Sequence, residues 1–144
     1  MDMEQLFAAV ETEDMHRSQS RTVAAYLFAG KVIARQPLNK IFAVLEEKVD
    51  DSVIIEGLRR INGNYHKAVK VCIEAGWDDR RVIRALITRF SWHMLVEILT
   101  GIGWDEKRIK AAGNEIIMKK YKELELEKAA ALQLAQKAIK VLRN

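Results

Sequence analysis

The chain is short of everything that breaks a helix. Its 144 residues include one proline, Pro37, and seven glycines, so turns have few places to form and helices are favoured. Cysteine occurs once, at Cys72, which excludes an intramolecular disulfide and points to a reducing compartment. No uninterrupted apolar run approaches the roughly 20 residues that span a bilayer. The first residues carry Asp2 and Glu4 and lack the basic flank and apolar run of a signal peptide. A cytoplasmic protein with no membrane association is the expectation.

Groups with chemistry are equally scarce. His16, His66 and His93 are the three histidines, and no His-x-x-x-His or Cys-x-x-Cys spacing foreshadows a metal site. No serine sits in a Gly-x-Ser-x-Gly turn, and no glycine-rich loop suits a phosphate. The pairs Asp50-Asp51 and Asp78-Asp79 read better as helix caps than as catalytic acids. Cys72 falls on an apolar helix face and reads as a small core residue. An enzyme is not expected, nor a metal or cofactor.

What the chain does have is a repeat. Ala75-Gly76-Trp77-Asp78-Asp79-Arg80-Arg81-Val82 returns 27 positions later as Ile102-Gly103-Trp104-Asp105-Glu106-Lys107-Arg108-Ile109. The match extends to Tyr65 with Trp92, His66 with His93, Val69 with Val96, Val71 with Ile98 and Ala85 with Ala112. A fainter copy lies 28 residues upstream, where Val49-Asp50-Asp51, Ile54-Ile55 and Leu58 mirror Trp77-Asp78-Asp79, Val82-Ile83 and Leu86. A repeat of this length is one supersecondary unit used several times.

Read through its caps, the unit is a pair of short helices. Gly76 and Gly103 end one helix in a left-handed turn, and Asp78 and Asp105 start the next. Asn64 and Ser91 cap the first helix of each pair, with Phe90 and Leu95 placed as a hydrophobic staple. Upstream, residues 3–11 read as a short helix through Leu6, Phe7 and Val10, and Thr12 to Ser20 as a loop. A second helix runs from about Arg21 to Arg35, with Val23, Tyr26, Leu27, Gly30 and Ile33 as its apolar stripe. Pro37 suits a first helical position, and Ile41, Phe42, Leu45 and Val49 mark the helix after it. Asp50 or Asp51 then caps a helix carrying Val53, Ile54, Leu58 and Ile61.

From about Asn114 to Leu142 no breaker occurs, which predicts one long helix. Ile117, Tyr121, Leu124, Lys128, Ala131, Ala135, Ala138 and Leu142 follow the 4-3 spacing of a heptad seam rich in alanine. The seam packs either on the repeats or on a second subunit, and the second outcome is a homodimer. The expected fold is all-α: a multi-helix bundle or short α-solenoid of helical hairpins ending in a long C-terminal helix. It forms one domain, with N-terminal helices in 1–36, hairpin repeats in 37–113 and the long helix in 114–144. At 49% hydrophobic and 31% charged residues the chain has the composition to bury a core.

Charge is unevenly placed. Residues 1–63 hold eight Lys/Arg against ten Asp/Glu, whereas residues 64–144 hold sixteen against ten. The basic half coincides with the clear repeats, where Cys72, Gly76, Val82 and Ala85 loosely fit a helix-turn-helix pattern. Thr100, Gly103, Ile109 and Ala112 fit it as loosely, with Thr100 one place late. The second helices would then present Arg80, Arg81 and Arg84, and Lys107, Arg108 and Lys110, to phosphates or base edges. The expected function is a small regulatory protein that binds nucleic acid, DNA more readily than RNA. Against it stand Asp78-Asp79 and Asp105-Glu106, which would meet the phosphates at the start of each helix. The alternative is a helical-repeat adaptor for protein partners with no nucleic-acid contact. Trp77 and Trp104 either plug the groove between hairpins, as their large apolar area favours, or stand out with Tyr121 and Leu124 as partner-binding anchors.

Overall fold

Four helices start on side chains whose type marks them as caps. Asn64 accepts a hydrogen bond from the Lys67 amide at 2.9 Å, Asp78 from Arg81 at 2.8 Å, Ser91 from Met94 at 3.3 Å and Asp105 from Arg108 at 2.8 Å. Each bond satisfies one of the N–H groups that a helix start leaves without a partner. The structure, a computed structural model, describes residues 2–12 and 18–143, and not the side chains of residues 120 and 121. Most of the loop expected over Thr12 to Ser20 therefore lies outside the described residues.

The elements are α1 (Met3–Thr12), α2 (Gln19–Phe28), a π-helical turn (Ala29–Ile33), α3 (Leu38–Lys48), α4 (Asp51–Asn62), α5 (Tyr65–Glu74), α6 (Asp79–Ile87), α7 (Trp92–Gly101) and α8 (Glu106–Arg143). No strand occurs among the described residues, and the fold is an all-α multi-helix bundle. Helices α5 and α7 end in the same way. Gly76 and Gly103 take φ of 103° and 98°, a region closed to most side chains. The amide of Trp77 then returns to the Cys72 carbonyl at 3.1 Å, and that of Trp104 to Leu99 at 3.0 Å. This double-bonded terminus turns the chain back on itself and delivers each tryptophan to the joint.

One cluster of buried residues runs from Met3 to Ala112. Helix α4 packs against α2, α5 and α6, while α5 touches α7 and α6 touches α8. Corresponding helices of successive hairpins are thus in contact. The α2–α4 and α7–α8 contacts each need a missing side chain: a Cβ on Gly57 would lie 2.8 Å from Val23 Cβ, and one on Gly113 would lie 2.9 Å from Trp92 Cη2.

Several boundaries differ from the sequence reading. Pro37 is the residue before α3 rather than its first helical residue. The second helix of the last hairpin and the C-terminal helix are one continuous 38-residue element, α8, so the boundary drawn at 113/114 falls inside a helix. Gly113 and Asn114 do not break it because Gly113 serves close packing against Trp92. The packed part of α8 is its base, where Ile109 and Ala112 are buried and Ile116 is half-buried. From Met118 onward every described side chain is exposed, so the distal helix stands clear of the bundle.

The expected stripe of the second helix fails at its last member. Val23, Tyr26, Leu27 and Gly30 are buried, but Ile33 is 72% exposed. The cause is the π-helical turn. It closes with the Ala34 amide on the Ala29 carbonyl at 2.9 Å, one residue longer than an α-turn. The extra residue rotates everything beyond it by about 100°, the angular step of one helical residue. Ala34 packs against the core in place of Ile33. Ile61, expected inward on α4, is likewise 40% exposed.

Candidate functional site

The joints between hairpins absorb much of the charge that the sequence offered to nucleic acid. Arg81 lies over the Trp77 ring at 4.3 Å and forks onto Asp51, Nε to Oδ2 at 2.8 Å and Nη2 to Oδ1 at 2.9 Å. One hairpin later Arg108 lies over Trp104 at 4.0 Å and forks onto Asp79 with two bonds of 2.9 Å. Within the Asp78-Asp79 pair the first member caps α6 and the second ties the next hairpin to it. Both tryptophans are buried at 4% exposure, in the position of groove plugs rather than of exposed anchors. The Trp77 indole N–H donates to Glu46 Oε1 at 3.1 Å, on the same oxygen that Arg81 Nη1 approaches at 3.3 Å.

Of the remaining basic residues, Arg80 and Arg84 lie one turn apart on α6, both beside Glu115. Arg80 lies 3.5 Å from Glu115 and lines a groove with Asp78, Asp79, Arg108 and Ala111. Arg84 lines a second groove with Glu115, Lys119 and Glu123. Lys110 lines a third, beside Trp92, Val96 and Trp104, and pairs with Glu106 at 2.7 Å. That hydrogen bond holds the Glu106 carboxyl below the usual carboxylate range. Lys107 is exposed. Each of these three grooves thus contains acids as well. Leu124 is exposed on the distal helix, and the Tyr121 side chain lies outside the described residues.

A different surface carries apolar area. Phe28, Ile33 and Ile61, 52%, 72% and 40% exposed, line a shallow groove of about 500 Å³ between α2 and α4. Ala24, Ala25 and Ala29 supply small side chains along it, and Arg21 and Arg60 stand at its edge. Arg60 is positioned by donating its Nε hydrogen to Ser20 Oγ at 2.9 Å. The groove exists because the π-helical turn carries Ile33 out of the core. Two residues after it, Arg35 takes φ of 49°, the left-handed region that side chains adopt at some cost. A π-turn leaves no regular period in the sequence, so only the surplus of large apolar residues over 26–33 could have pointed here.

A second polar centre escaped the sequence reading as well. Glu56 accepts from Tyr65 Oη at 2.6 Å and from Arg59 Nε at 2.8 Å, with Arg89 Nη1 at 4.0 Å. Burial alone would raise its pKa, but these donors and charges outweigh it and hold the carboxyl below its ordinary range. Tyr65 also meets the Phe90 ring edge-on at 4.7 Å. The cluster joins α4 to the start of α5 and to the chain after α6, and it fits a structural fastener. Among the described residues no three His, Cys, Asp or Glu side chains converge as a metal set, and no helix is long and apolar enough to cross a membrane. Compared with models of known protein families, with curated proteins and with solved structures, the chain matches none.

Proposed function

We propose that this chain is a non-enzymatic protein-interaction module. Its partner is a helix with an apolar stripe and acidic flanks, seated between α2 and α4. The observation that carries this reading is the joint exposure of Phe28, Ile33 and Ile61 in one groove edged by Arg21 and Arg60. An apolar stripe laid into such a groove is a common mode of helix recognition, and basic residues at the edge select acidic neighbours. The nucleic-acid reading loses support because Arg81 and Arg108 are bound to aspartates and stacked on tryptophans. Turning their forked N–H groups to an incoming phosphate would first require breaking the joints that hold the hairpins together.

The test has two arms. Proteins recovered on the tagged chain from source-cell extract are purified singly and titrated against wild type and Ile33→Glu by calorimetry. A direct complex with wild type, weakened tenfold or more by Ile33→Glu, is expected, because the variant places a charge in the apolar contact. The second arm is an electrophoretic shift with long duplex and single-stranded DNA and RNA at low salt. A shift that weakens steeply with salt and vanishes in Arg80→Glu/Arg84→Glu would overturn the proposal in favour of nucleic acid.

A further inference from the structure

We infer that the distal half of α8 pairs with the same segment of a second copy of this chain, side by side and antiparallel, about a centre between residues 129 and 130. The inference is independent of the proposed function and rests on another surface. Residues 118–143 form about 39 Å of helix at 1.5 Å per residue, with every described side chain exposed. One face of that helix is nevertheless apolar, interrupted only by Lys128. Leu124, Ala131, Ala135, Ala138 and Leu142 recur at 4-3 spacing, with Leu132 and Ile139 beside them, whereas the charges of Glu123, Glu125, Lys137 and Lys140 fall elsewhere. A helix in water has no use for such a seam, and a heptad seam is what a partner helix reads.

Residue size selects the occupant and its direction. In an antiparallel pair centred between 129 and 130, Ile117 faces Leu142 of the other copy. Leu124 then faces Ala135, and Lys128 faces Ala131. Large residues meet small ones along the middle of the seam, which lets the helices approach while the volumes interlock. The parallel alternative is poor. Parallel in-register pairing sets Lys128 against Lys128 and leaves Ala131, Ala135 and Ala138 in three layers with alanine on both sides. Charge is close to neutral on the question, since Lys137 of one copy lies level with both Lys122 and Glu123 of the other. A strip of this length on a helix of about 10 Å diameter buries roughly 600 Å² per partner, at the lower bound of specific interfaces. The pair should therefore be a reversible dimer.

Sedimentation equilibrium of the full chain is expected to give an apparent mass that rises with concentration towards twice the 16.5 kDa of the monomer. Ala131→Glu, an exposed change on a helix and so mild for the monomer fold, is expected to return the mass to one chain. Direction is read by cysteine pairing, with Cys72 left in place because it is fully buried. Leu124→Cys chains mixed with Ala135→Cys chains should oxidise to the mixed disulfide. Neither variant alone should dimerise covalently, because equal positions then lie about 16 Å apart, beyond the reach of a disulfide. A monomer mass at all concentrations would overturn the inference and leave the seam to a different protein. Covalent dimers of Leu124→Cys alone would overturn the antiparallel arrangement.

Discussion

Arg81 on α6 and Asp51 at the start of α4 are joined by two parallel hydrogen bonds of 2.8 and 2.9 Å, thirty residues apart in the chain. Arg108 and Asp79 repeat the relationship one hairpin later. In both, the N–H edge of the guanidinium meets a carboxylate and its carbon lies over an indole, so one side chain satisfies a charge and roofs an apolar ring. The two copies differ in exposure. The Arg81 side chain is 33% exposed and shares its charge with Glu46, whereas Arg108 is 46% exposed.

That difference orders the cost of removal. Arg81→Ala should lower stability by about 1–2 kcal/mol, because a half-sheltered forked pair and a cation–π contact are lost together. Arg108→Ala should lose under about 1 kcal/mol, as water screens the more open pair. Urea unfolding followed by circular dichroism reads both. Equal losses would mean that exposure does not govern these joints.

The hairpins were legible in the sequence because their punctuation is local. A glycine that must take positive φ and an aspartate that must cap lie within three residues of each other, and each acts on its own neighbours. The partners of Arg81 and Arg108 were not legible, because an ion pair across thirty residues leaves no spacing rule. Ile33 was misread for a related reason. Helical periodicity assumes 3.6 residues per turn, and one π-turn between Ala29 and Ala34 shifts the register without changing composition. The continuity of α8 through Gly113 was hidden as well, since a glycine required by a neighbouring indole looks the same as one that ends a helix.

The close helix approaches give a contrast among glycines. Alanine at Gly57 gains up to about 1 kcal/mol of helix propensity, but its Cβ meets Val23 Cβ at 2.8 Å and the Ala24 backbone nitrogen at 3.2 Å. Backbone cannot yield cheaply, so Gly57→Ala should cost about 1–3 kcal/mol net. At Gly113 the obstacle is the Trp92 ring at 2.9 Å, rigid but half-exposed, so Gly113→Ala should cost less. At Gly101 the obstacle is the His66 imidazole, the free end of a movable side chain, and Gly101→Ala should be near neutral or stabilising. Thermal unfolding of the three variants should rank them in that order.

Tyr26 sets an alkaline limit. Its ring is fully buried, and burial first, then the nearby Asp2 charge, push the phenol from 10.0 up to about 12. The folded state therefore holds this proton more tightly than the unfolded chain does. The resulting stability is complete below pH 10 and is lost as the pH rises from 10 through about 12. Tyr26→Phe removes the dependence at little cost near neutrality, because the Tyr26 hydroxyl reaches the Ile41 carbonyl only at 3.4 Å. Urea midpoints at pH 7 and pH 11 should show the variant level with wild type or slightly weaker at the first and ahead of it at the second.

Glu56 works in the opposite direction. Its folded pKa lies below the usual 4.5, so its contribution is present above that value and is lost as the pH falls through the folded pKa. Glu56→Gln keeps the shape but gives up the charge that Tyr65, Arg59 and Arg89 address. At pH 7 the change should cost about 1–3 kcal/mol, the range for a sheltered carboxylate with charged and hydroxyl donors. At pH 3, below the usual 4.5, the unfolded chain takes up the Glu56 proton that the fold resists, so the gap between the two proteins should narrow. Tyr65→Phe removes only one donor and should reproduce a fraction of the loss, with a smaller change between the two pH values. A gap that stays constant from pH 7 to pH 3 would show that the carboxyl serves packing and not charge.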